Sequence, residues 1–259
     1  MTGRGAWSVQ GIGGTLEYGA DGSTRPGPYY ALAIGDTPKV GSGGWKAASV
    51  NERAVHGAVL AYQRALNRQL GGLPGFDVIV VDGVYGEATR DAVFRWQKRQ
   101  PKFRDISVWG GIGPSTSKWL LMPTLRTWVA DELEAVVCGL VTQESGWDVG
   151  AVGFVDDDDI GLGQINGPAN PDLTERERLR PSVAFPYVQH RVEVGLENFD
   201  GNLRDAVASY NLGFGGANSW IKAGRPDMWQ PTPGATPRNV RTYIDFILSA
   251  CANTARSTT

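Results

Sequence analysis

The chain has 259 residues, 41% apolar and 20% charged, with a formal net charge of -2. This is the composition of a globular protein long enough for two modest domains. The near-neutral balance excludes a nucleic-acid binder that depends on a basic surface, and gives no strong long-range attraction to any anionic surface. Two cysteines, Cys138 and Cys251, cannot build a disulfide framework. They read as free thiols more readily than as a bridge between two helices. His56 and His190 lack the spacing of a zinc hydrolase, and a Cys138–His190 nucleophilic pair is disfavoured because Cys138 lies in an apolar run. No stretch reaches membrane-spanning length, and the first residues carry no apolar secretory segment.

In chain order, residues 1–50 hold twelve glycines and few charges. They read as a glycine-rich arm with short β-prone runs such as "YYALAIG", or as an unstructured leader. Residues 51–122 change character. Val55, Val59, Tyr62, Leu66 and Leu70 keep helical spacing, and "VDGVYGEATRDAVFRWQKRQ" runs from a turn into a second helix. The turn-helix pattern recurs 27 residues on, matching Val81 with Val108, Gly83 with Gly110, Gly86 with Gly113 and Thr89 with Thr116. The glycines supply tight turns, and Pro114 suits a first helical position. "MPTLRT" (122–127) reads as a short linker. Helices are expected at 128–145, 187–200, 203–212 and 238–250, and the four prolines of 225–238 as an irregular loop.

The repeat resembles the small three-helix peptidoglycan-binding domain, "DGVYGEATRDAVFRWQ" being its characteristic motif. Trp109 stands where that family usually has Asp. The resemblance implies binding to the bacterial wall; the residue-level alternative is a helical module kept for packing or spacing.

The most informative stretch is "VVCGLVTQESGWD" (136–148). Val137, Leu140 and Val141 share a helix face with Glu144, and Ser145-Gly146 stops the helix. Apolar neighbours and the carbonyls of a helix C-terminus both disfavour a charged carboxylate. Glu144 is therefore expected to hold a proton near neutral pH, as a general acid must. "QESGW", "GLGQIN" (161–166), "AVASYNLGFGG" (206–216) and "VRTYIDFIL" (240–248) together resemble, in order and spacing, the catalytic domain of the soluble lytic transglycosylases, which share a fold with goose-type lysozyme. This implies that Glu144 is the acid/base and that Ser145 helps to hold the sugar. It implies that Gln164 lines the cleft, that Tyr210 and Asn211 contact the sugar or orient Glu144, and that Tyr243 hydrogen-bonds the carboxyl. Gly163 departs from the family's usual Met and is expected to remove an apolar side chain from the cleft. Trp147, Trp220 and Trp229 fall beside these motifs, as cleft walls or as core.

Asp156 to Asp159 admit three readings: a solvated loop, a calcium loop without the usual alternation, or, by resemblance to goose-type lysozymes, groups that position a water, with Asp158 and Asp159 the candidates. The whole then reads as a mainly α protein. An arm (1–50) precedes a peptidoglycan-binding domain (51–122) and a transglycosylase/lysozyme-like catalytic domain (123–259). No metal or organic cofactor, nucleic acid or membrane insertion is implied. The expected function is that of a phage-type lysin acting on peptidoglycan. It would leave the host cytoplasm through a holin, or be carried on a virion with residues 1–50 docked on tail subunits. A non-catalytic wall-binding protein is the rival.

Overall fold

The computed structural model describes residues 8–11, 14–17, 50–103, 109–153, 158–230 and 237–256, with side chains for 53–103, 109–153, 158–230 and 237–249. It is mainly helical. In the arm, β1 (Ser8–Gly11) pairs antiparallel with β2 (Gly14–Glu17); the "YYALAIG" run lies outside the described residues.

Three helices follow: α1 (Val50–Leu70), α2 (Glu87–Arg99) and α3 (Pro114–Trp128). The apolar stripe of α1 is buried at Val59, Tyr62, Leu66 and Leu70. The repeat is geometric as well as sequential. Gly83 and Gly110 have φ of 74° and 79°, and Gly86 and Gly113 precede their helices with nearly identical extended backbones. Each turn is gripped by a buried glutamine of the preceding helix. Gln63 accepts from the Gly83 N–H (2.9 Å) and donates to the Val84 carbonyl and Thr89 hydroxyl (both 3.1 Å). Gln97 accepts from the Gly110 N–H (2.7 Å) and donates to the Gly111 carbonyl (2.8 Å) and Thr116 hydroxyl (3.1 Å). An amide side chain suits the task because it both donates and accepts.

The expected linker at 122–127 is instead helix, the last turns of α3. Pro123 removes one helical hydrogen bond, but Leu121, Met122 and Leu125 are buried, and that packing carries the helix through.

The remainder comprises α4 (Asp131–Ser145), the short hairpin β3 (Asp159–Ile160) and β4 (Ile165–Asn166), α5 (Glu175–Arg178), α6 (Pro181–Asn198), α7 (Leu203–Lys222), β5 (Met228–Trp229), β6 (Arg238–Asn239) and α8 (Val240–Arg256). α6 begins six residues before its expected start, with Pro181 at its first position. α7 kinks at Gly213, just after the expected end at 212. The proline-rich loop folds back on itself, β5 and β6 pairing antiparallel; residues 231–236 lie outside the described set. α4 packs chiefly on α8 and α6 on α7. Gly139 makes the first contact close, since a Cβ there would lie 2.8 Å from the Ile247 carbonyl. One buried apolar cluster runs without a break from α1 to α8.

Cys138 is buried, while the His190 side chain is 70% exposed, so the two form no nucleophilic pair. The Cys251 side chain lies outside the described residues.

Candidate active site

Asp131, Glu132 and Glu134 in the first turn of α4 complement its dipole, and Val137, Leu140 and Val141 are completely buried. The helix ends where Gly146 takes a left-handed backbone (φ 59°) and its N–H bonds the Thr142 carbonyl (3.1 Å). Trp147 is also left-handed (φ 69°), which is costly for a bulky residue. It is held by its indole N–H on the Thr142 hydroxyl (2.9 Å) and by its ring against Phe185.

Glu144 thus sits on the last turn of a buried helix. Burial pushes its pKa up to about 7. The Tyr243 hydroxyl donates to the carboxyl and opposes the rise, Asp159 adds to it by like charge, and Arg238 opposes it. A carboxyl half-protonated near neutral pH can give a proton and later take one back.

Three further segments converge on this group. From α8, Tyr243 contributes the hydrogen bond. From β6, Arg238 lies within electrostatic reach of Glu144 and donates to the Asn211 carbonyl (2.6 Å) and side-chain oxygen (3.2 Å). From α7, the Tyr210 hydroxyl donates to the Gly163 carbonyl (2.6 Å), and burial, with the nearby Glu144, pushes its pKa well up. Gln164, with φ of 46°, donates to the carbonyls of Gly161 (3.0 Å) and Ala151 (3.4 Å). Its amide shapes the loop between β3 and β4.

Two expectations are corrected. Ser145 is fully buried, and its hydroxyl donates to the Val141 carbonyl one turn back (3.0 Å), so no sugar reaches it. Gly163 does not vacate space in a cleft. A Cβ there would lie 2.8 Å from Val188 Cγ2 and 3.1 Å from the Tyr210 hydroxyl, so the position faces packed protein. Trp147 and Trp220 are core, while Trp229 is half-buried in β5. Asp158 is exposed and Asp159 half-buried; Asp156 and Asp157 lie outside the described residues. Among the described residues no cluster of His, Cys, Asp or Glu could hold a metal ion, and no helix is long and apolar enough to cross a membrane.

Arg238 and Arg178 escaped the sequence reading. Arg178, in the charged run "TERERLR", is buried, and its guanidinium donates to the carbonyls of Asp158 (2.5 Å) and Ile165 (2.9 Å). A capping box at Thr174 and Glu177 marks the start of its helix, but nothing local sets this arginine apart from its solvated neighbours.

Residues 128–227 match the family model of the transglycosylase SLT domain. Members of that family are lytic transglycosylases that act on peptidoglycan, so this stretch is a lysozyme-like catalytic domain and its substrate is peptidoglycan. The matched stretch contains Glu144, Gln164, Tyr210 and Asn211 and stops short of Arg238 and Tyr243, which the fold adds. No curated relative matches the chain.

Proposed function

We propose that this protein cleaves the β-1,4 bond from N-acetylmuramic acid to N-acetylglucosamine with Glu144 as sole acid and base, leaving a 1,6-anhydro end. The observation that carries the reading is the state of Glu144: a half-buried carboxyl at the end of a buried helix, pKa about 7, hydrogen-bonded by Tyr243. Glu144 gives its proton to the glycosidic oxygen as the bond to the muramyl anomeric carbon breaks. The muramyl 6-hydroxyl then attacks that carbon while the Glu144 carboxylate takes its proton. No water is consumed, and one carboxyl serves where ordinary glycosidases use two. Gln164, Tyr210 and Asn211 surround the sugar, and Arg238 fixes Asn211. Mass analysis of unreduced digests of sacculi tests the mechanism, with anhydro ends expected. Glu144→Gln should lower the rate by ~10² or more, and a folded Glu144→Gln protein with parental activity would refute the assignment.

Hydrolysis is the second reading, favoured by the electrostatic coupling of Asp159 to Glu144. Reducing muramyl ends, together with loss of lysis in a folded Asp159→Asn variant, would establish it.

In the same proposal the α1–α3 unit binds the wall, and the protein serves a phage as a lysin, released to the wall from the host cytoplasm or carried on a virion with residues 1–50 against tail subunits. The repeat motif supports the first part. Mass spectrometry of purified virions separates the two routes.

A further inference from the structure

Besides packing α3 on α6, the α1–α3 unit meets the catalytic domain at two places that lead toward Glu144, one through the hairpin that bears Asp159 and one at the turn that follows the acid. The first is under the β3–β4 hairpin. Arg53 of α1 forms a two-pronged ion pair with Glu175 of α5 (2.6 and 2.7 Å), both side chains largely shielded from solvent. Next to it Ala54, Val152, Ile160 and Leu179 form a separate buried cluster, and Ile160 directly follows Asp159. Gly57 permits this approach, since a Cβ there would lie 2.7 Å from Leu179 Cδ1. At the end of α5, Arg178 joins both arms of the hairpin through the Asp158 and Ile165 carbonyls. Gly167 leaves room for the guanidinium, and the left-handed Gly161 rests on the Arg178 carbonyl. A buried guanidinium is costly to desolvate, and this one is spent on holding main chain.

The second place is the turn after Glu144. The Tyr62 hydroxyl of α1 and the Ser117 hydroxyl of α3 share a hydrogen bond (3.0 Å), and Ser117 donates to the carbonyl of Trp147 (2.5 Å). This is the left-handed residue that directly follows Gly146, the cap of the Glu144 helix. α1 therefore reaches the site from two sides, through α5 to the hairpin bearing Asp159 and Gln164, and through α3 to the turn behind the acid.

We infer that α1 is a positioning element of the catalytic site, with Arg53, Arg178 and Ser117 as positioning residues that keep the β3–β4 hairpin aligned with Glu144. A module whose sequence suggests attachment to the wall thereby also completes the geometry of catalysis. The inference rests on Glu144 being the acid. A displacement near 1 Å at a reacting centre costs up to ~10² in rate, so the effect is expected in kcat rather than KM.

The test uses the full chain and soluble, uncrosslinked glycan strands, so that anchoring to sacculi plays no part. Arg53→Glu is expected to lower kcat by about tenfold or more with KM little changed. It should also shift the alkaline limb of the pH profile downward, because Asp159 no longer sits where it raises the Glu144 pKa. Exchanging the charges, in Arg53→Glu with Glu175→Arg, should restore both. Arg53→Gln carries the same test without introducing repulsion should Arg53→Glu not fold. Parental kcat and pH profile in a folded Arg53→Glu or Arg53→Gln protein overturn the inference, as does a charge exchange that restores neither. Glu144→Gln in the same assay separates the two readings. An inactive Glu144→Gln beside unaffected Arg53 variants removes only the positioning role, whereas an active Glu144→Gln removes the acid on which it rests.

Discussion

Glu144 couples stability to pH in a definite direction. Its folded pKa of about 7 lies above the ordinary 4.5, so the fold prefers the protonated form. That preference is fully present below about pH 4.5 and is lost as pH rises to about 7; over this window it amounts to about 3 kcal/mol. Glu144→Gln keeps the shape without the charge. Denaturant unfolding should show the variant gaining on the parent between pH 4 and pH 8, and an unchanged difference would mean that the carboxyl is solvated. Tyr243→Phe removes the donor that opposes the raised pKa. The alkaline limb of the activity profile should then move to higher pH, whatever happens to the maximal rate. Gly163→Met makes the chain more like the family and the fold less comfortable. Val188 and the Tyr210 hydroxyl already occupy the space, and overpacking of this kind costs about 1–3 kcal/mol. A lowered melting temperature and reduced activity are expected; a variant as stable as the parent would show that the loop between β3 and β4 yields freely.

At the scale of elements, the repeat is an arrangement in which a helix supplies the glutamine and the next turn supplies the groups to be bonded. Gln63 and Gln97 are almost completely buried. Removing either amide leaves a buried N–H and carbonyl without their partner, at about 1–3 kcal/mol. Gln97→Ala should therefore destabilise the protein by that amount in chemical denaturation. A change within a few tenths would mean that water replaces the amide. The β5–β6 hairpin has a comparable function on the catalytic side. By pairing Trp229 with Arg238 it brings an arginine from beyond a proline-rich stretch to Asn211 and Glu144. α5, only four residues long, matters for what it carries at its two ends, Glu175 toward α1 and Arg178 toward the hairpin.

For the whole molecule, the unbroken apolar cluster from α1 to α8 predicts cooperative behaviour. With α3 continuing to Trp128 and α4 starting at Asp131, only two residues separate the last helix of the repeat unit from the helix of the acid. Calorimetry of the full chain should show one transition, with calorimetric and van't Hoff enthalpies in agreement. Two resolved transitions, one assignable to each unit, would mean that the shared core contributes little.

The sequence by itself determined the helical class, the two glycine turns of the repeat, the apolar stripe of α1 and the placing of one carboxyl at the end of a buried helix. Each of these is set by residues within about twenty positions of one another, through periodicity and backbone preference. Only the tertiary structure decided that Ser145 turns inward, that Gly163 faces Val188 and Tyr210, that "MPTLRT" is helix, and that Arg178 and Arg238 are structural where their neighbours are solvated. The partners that decide these cases lie far along the chain, 99 residues apart for Tyr243 and Glu144 and 122 for Arg53 and Glu175. A polar side chain carries no local mark of burial. Whether it is solvated or spent on another segment's main chain depends on what the fold lays against it.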